Sequence, residues 1–121
     1  MSAQHAETRP PLIPQPPTTR DALREAVKQI ALSRLPEFDR DLGEAFDQAI
    51  QLSSITPMRL FLEKWATLVA IERHPEQARM MREAERTIAD PSAPQDAFQQ
   101  AQAAVTRILD AASEEAGVGL R

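Results

Sequence analysis

The chain has 121 residues, a mass of 13.5 kDa and ordinary shares of apolar (42%) and charged (26%) side chains. These proportions fit one globular domain and exclude wholesale disorder and fibrous or collagen-like structure. Fourteen Lys and Arg against 18 Asp and Glu leave a formal charge of −4, with 7 basic and 8 acidic side chains in residues 1–60 and 7 and 10 in the remainder; neither half is a basic arm, and generic coating of a polyanion is disfavoured. With no cysteine, disulfides, thiolate nucleophiles and Cys-based zinc or iron–sulfur sites are excluded.

In chain order, residues 1–18 read as a flexible Pro-rich tail, because Pro10, Pro11, Pro14, Pro16 and Pro17 remove backbone donors and favour extended polyproline II. Leu12 and Ile13 are the residues by which this tail would pack onto the domain, or strap down a partner as it orders on binding. Met1 to Thr18 has no apolar stretch of signal-peptide length, and no 18-residue apolar run occurs, so a cytoplasmic protein with no membrane association is expected.

Residues 19–116 read as a helical domain, followed by a short tail over 117–121. Thr18 and Thr19 are candidate N-caps for a first helix with Leu23, Ala26, Val27, Ile30 and Ala31 on its apolar stripe. Pro36 is expected to force Leu35 out of helical backbone and to open a second helix, with Phe38, Leu42, Ala45, Phe46, Ala49 and Ile50 on one face despite Gly43. Thr56-Pro57 predicts a capped start for a third helix. This third helix is apolar around most of its circumference, through Leu60, Phe61, Leu62, Trp65, Ala66, Leu68, Val69, Ala70 and Ile71. Such a helix is either surrounded by neighbours or partly covered by a second molecule.

Pro75 opens a weaker fourth helix. Asp90-Pro91-Ser92-Ala93-Pro94 breaks it, and Ser92 with Gln95 suits a capping box for an Ala-rich last helix that Gly117 and Gly119 end. No strand-like alternation or fixed repeat is present, so the expected fold is all-α, a bundle of four to five helices.

The chemistry-bearing residues are sparse. Of two histidines, His5 sits in the tail and His74 precedes a proline; His74 would need a Ser or Asp brought to it in space to support nucleophilic catalysis. Glu37, Asp41 and Glu44 share a helix face and form either a solvated acidic face or a weak cation attractor, but no metal motif is present. Three scattered glycines cannot build a phosphate-cradling loop. No catalytic residue, cofactor or metal is expected.

Partner-binding candidates remain. Trp65 is either core or an interface anchor, since tryptophan is enriched in binding hot spots. Met80 and Met81 lie about 100° apart on a helix, so unequal burial is expected, one of them being free for a soft partner contact. Arg73, Arg79, Arg82 and Arg86 form the one basic stripe, available to phosphates or an acidic partner unless Glu76, Glu83 and Glu85 neutralise it.

Several of these signals together resemble a family of small uncharacterised helical proteins of actinobacteria: Thr-Arg-Asp-Ala-Leu-Arg over residues 19–24, Leu35-Pro36-Glu37-Phe38, Ile55-Thr56-Pro57-Met58, Leu62-Glu63-Lys64-Trp65 and His74-Pro75-Glu76. Some relatives are encoded beside toxins that look like the RelE/ParE class, which implies an antitoxin or toxin-binding role for part of that family. The expectation is therefore a non-enzymatic protein–protein interaction module, antitoxin-like and suited by its acidity to a basic toxin, with a homodimer as a second association. The alternative is a dimeric DNA-binding transcriptional regulator presenting the arginine stripe.

Overall fold

A computed structural model describes residues 9–118; His5, Gly119 and the ends of the two expected tails lie outside the described residues. Each helix begins and ends for a local reason. Helix α1 (Arg20–Ile30) starts where the Thr19 hydroxyl accepts a hydrogen bond from the Ala22 N–H at 3.2 Å, and Asp21 sits favourably in its first turn. A 3-10 turn (Leu32–Arg34) leads directly into α2 (Leu35–Leu52).

Leu35 itself is helical (φ −60°, ψ −41°), contrary to the expectation from the following proline. Its side chain packs against the core, and that tertiary contact outweighs the modest pre-proline preference. Helix α2 ends at Ser53 in the left-handed region (φ 50°), a conformation glycine usually takes.

Helix α3 (Thr56–Glu72) is not capped by Thr56 as expected; the Ser54 hydroxyl accepts from the Thr56 N–H at 3.1 Å instead. Helix α4 (Pro75–Ala89) opens on Pro75. The predicted Ser92–Gln95 capping box does not form, because Asp90 takes both the N–H and the hydroxyl of Ser92, at 2.9 and 2.8 Å. Helix α5 (Gln95–Glu115) follows. It ends in a Schellman motif: Gly117 has φ 74°, its N–H reaches the Glu114 carbonyl at 3.1 Å, and the Val118 N–H reaches Ser113 at 3.0 Å.

The five helices form an all-α bundle built around α3, which packs against all four others. Most of its apolar circumference is thereby covered within one chain, while Leu60 stays exposed and Leu62 and Leu68 half-buried. One core cluster joins α1, α2 and α3 through Leu23, Val27, Phe38, Phe61, Trp65 and Val69. A second joins α3, α4 and α5 through Ala70, Ile71, Ala78, Ile108 and Ala112, where small side chains let the helices approach closely. Among the described residues, no helix is long and apolar enough to cross a membrane.

The proline-rich segment differs from the expected flexible tail over the part described. Residues 9–19 form no helix or strand, bend at residues 12–13 and 18–19, and are tied to the bundle by hydrogen bonds. The Leu12 N–H donates to the Arg73 carbonyl at 2.8 Å, the Ile13 carbonyl accepts from Arg73 Nη1 at 3.0 Å, and Gln15 Nε2 donates to the Ala66 carbonyl at 3.2 Å. Ile13 packs on the first core cluster while Leu12 points outward, 57% exposed. Proline supplies a pre-extended backbone, so docking costs this segment less conformational entropy than it would an ordinary chain.

Candidate functional site

Trp65 sits at the centre of the first core. It is fully buried, so it is not the exposed interface anchor that its residue type allowed. Its ring meets the edge of Phe38 at 5.1 Å, and Phe38 meets Phe61 at 5.0 Å, arrangements aromatic quadrupoles favour. Its indole Nε1–H donates to Asp41 at 3.1 Å, and Lys64 Nζ reaches the same carboxylate oxygen at 2.7 Å. Burial pushes the Asp41 carboxyl up, but hydrogen bonds from Lys64 and Trp65 outweigh it and hold the group below the usual aspartate range. Arg34 and Lys64 each lie 5.5 Å from the Trp65 ring centre, within cation–π range.

These two cations stand at one end of a half-open groove between α1, α3 and α4, about 680 Å³ in volume. Ile30, Leu68, Ile71, Ala78 and Met81 supply apolar walls, with Leu109 of α5 beside them. Glu72, Arg82 and Glu85 line the other end, Arg82 Nη1 lying 3.9 Å from Glu72. The groove arises because α1 ends at Ile30 and α4 departs at Pro75, leaving the flank of α3 at Leu68 partly uncovered above the buried Ile71. Apolar walls between charged ends are suited to burying a hydrophobic stripe while pairing its polar margins.

Met81 lines this groove, but Met80 and Met81 do not divide into one buried and one free side chain. Both are half-buried and both pack on the second core cluster, because an unbranched thioether can bend to reach it from either side.

The expected arginine stripe is not assembled. Arg73 is buried at the junction of the strap, α3 and α5, pairing with Glu115 and with the Ile13 carbonyl. His74 Nε2 shares the same Glu115 oxygen at 2.8 Å, so the group converging on His74 is a glutamate from the far end of the chain rather than a Ser or Asp. Arg79 is held by Glu76 at 2.6 Å and Glu83 at 2.8 Å; the Arg79 hydrogen bond holds the Glu76 carboxyl below its ordinary value. Arg82 leans toward Glu72, and Arg86 is exposed with no ion pair among the described residues.

Glu37, Asp41 and Glu44 also part company. Glu37 pairs with Arg34 at 3.1 Å, Asp41 serves Trp65 and Lys64, and Glu44 faces a shallow depression toward α3. No group of three or more His, Asp or Glu side chains is arranged to hold a metal ion among the described residues. From the sequence, Ile30 belongs to a buried stripe, and the helix of Leu68 and Ile71 is either enclosed by neighbours or partly covered by a second molecule. Nothing in their spacing signals that α1 is too short to cover Leu68.

The fold and groove thus define an all-helical bundle with an apolar cleft between its helices. The chain belongs to a family of unknown function, DUF6247, which it matches over residues 7–113. Neither the curated proteins nor the solved structures include a match to it.

Proposed function

We propose that this protein is a non-enzymatic interaction module whose groove between α1, α3 and α4 receives an amphipathic helix from a partner protein. The single observation that carries the proposal is the groove itself, about 680 Å³, walled by Ile30, Leu68, Ile71 and Met81 and flanked by charges at both ends. Helix-in-groove recognition needs an apolar trough for anchors at i, i+3, i+4 and i+7, and polar margins that fix its direction. The formal charge of −4 favours encounter with a basic partner. Together with the resemblance to actinobacterial relatives encoded beside RelE/ParE-like toxins, this supports an antitoxin-like role in the cytoplasm.

The DNA-binding alternative rests on Arg82 and Arg86 alone, because Arg73 and Arg79 are committed to carboxylates. A gel shift on the protein's own promoter at two salt concentrations tests it, since phosphate-driven binding weakens steeply with salt.

The groove is tested with a photo-crosslinking amino acid at Met81 of the full-length protein in extract from its native cells. A crosslinked basic protein whose attachment site maps to an amphipathic helix, and whose yield collapses when the acidic groove residues are reversed in Glu72→Lys and Glu85→Lys, is the expected result. Crosslinking to no protein, or to proteins indifferent to both substitutions, would overturn the proposal.

A further inference from the structure

We propose that the outward face of α2 is a homodimer surface, on which the same face of a second copy packs antiparallel with Gly43 at the crossing point. Gly43, Phe46 and Ile50 are spaced by three and four residues and therefore share a helix face. Phe46 is 57% and Ile50 63% exposed. Gly43 is itself exposed, and a Cβ built there would meet nothing within 4 Å.

Glycine is disfavoured inside a helix relative to alanine. Gly43 has neither positive φ nor a crowded neighbour, so nothing within the chain accounts for it. A side chain missing beside an exposed phenylalanine is what close approach by a second helix backbone requires.

The charges on this face select a second copy as the occupant. Arg40 and Asp47 lie two turns apart on the flank of the face, on either side of Gly43; both are exposed and neither forms an ion pair among the described residues. An antiparallel copy centred beside Gly43 brings each Arg40 opposite the other copy's Asp47, so the surface is complementary to itself under a two-fold axis. Of the other charges nearby, Asp39 is already held by Arg24 through two hydrogen bonds of 2.9 Å, and Glu44, about 100° round the helix from Gly43, lines the depression toward α3.

Eighteen residues of α2 span about 27 Å. One face of one such helix buries less than the roughly 800 Å² per partner of a standard interface. Association is accordingly weak, with a Kd between about 10 µM and about 1 mM. No residue of α2 lines the groove, so dimer and groove stand or fall separately.

Sedimentation velocity on the full chain from about 10 µM to about 1 mM tests the proposal. The expected result is a reversible dimer whose Kd rises at least tenfold in Gly43→Leu, with helicity and thermal midpoint retained. Leucine is a strong helix former and no atom of the chain occupies its place, so loss of folding does not confuse the outcome. Arg40→Asp and Asp47→Arg each weaken the dimer, and the double variant restores it. A monomer at every concentration, or a dimer indifferent to Gly43→Leu, overturns the surface; failure of the double variant to recover overturns the antiparallel arrangement.

Discussion

Replacing Arg73 with methionine tests how the N-terminal segment is held. Methionine keeps an apolar stem in the site, so the substitution isolates the guanidinium. Two interactions go: the charge-assisted bond to Glu115 and the bond from Nη1 to the Ile13 carbonyl. Both are donated by the charged guanidinium, and a bond involving a charged group contributes about 1.5–3 kcal/mol. The first is discounted, because the Glu115 side chain is 34% exposed and water can replace the lost partner. The net loss is about 2–3 kcal/mol, a large share of a stability that is typically about 5–15 kcal/mol. With an unfolding entropy of roughly 2.1 cal/mol/K per residue over about 110 residues, the thermal midpoint falls by about 10 °C. Differential scanning calorimetry reads the stability, and hydrogen exchange at the Leu12 amide reads the strap directly, since that N–H is bound to the Arg73 carbonyl. The expected outcome is a lower midpoint with a Leu12 amide that loses protection. A midpoint shifted by less than about 2 °C, with Leu12 exchanging as a free chain end already in the wild type, would refute the reasoning.

Trp65→Ala removes a fully buried ring and the donor to Asp41; chemical denaturation is expected to register a loss of about 3–5 kcal/mol, and a well-folded variant of unchanged stability would show that Trp65 is not the centre of the core. Acid lowers stability through carboxyls held below their ordinary values: Asp39 by hydrogen bonds from Arg24, and Asp41, despite the opposing effect of burial, by Lys64 and Trp65. Because the folded state depresses these values, the stabilisation is present above the ordinary aspartate range and is lost as pH falls through the depressed ones. Urea midpoints measured from pH 7 downward are expected to fall more steeply for the wild type than for Asp41→Asn; identical slopes would assign the acid sensitivity to other groups.

The helices were legible because their signals are local. Apolar stripes at three- and four-residue spacing, prolines at first turns, Thr19 at a cap and Gly117 after the last helix depend only on neighbours in sequence. The departures arise where another contact, two residues away at Asp90 or across the core at Leu35, outweighs the expected one. Asp90 captured Ser92 before it could cap α5, and core contact held Leu35 helical ahead of a proline.

The candidate site was less legible for the same reason. Arg73 looked like one member of a basic stripe until the far end of α5 brought Glu115 against it and the strap offered the Ile13 carbonyl. Trp65 carried two readings that sequence spacing treats alike, and the packing of α1 and α2 over α3 chose the buried one.

Composition, charge and periodicity alone determined an acidic all-α domain and the apolar face each helix carries, because amphipathic spacing is a property of a single helix. Tertiary structure alone decided which apolar surface stays open. The groove beside Leu68 and the uncovered face of α2 at Phe46 exist because neighbouring helices end or turn away, and coverage is a relation between elements that no one element's pattern contains.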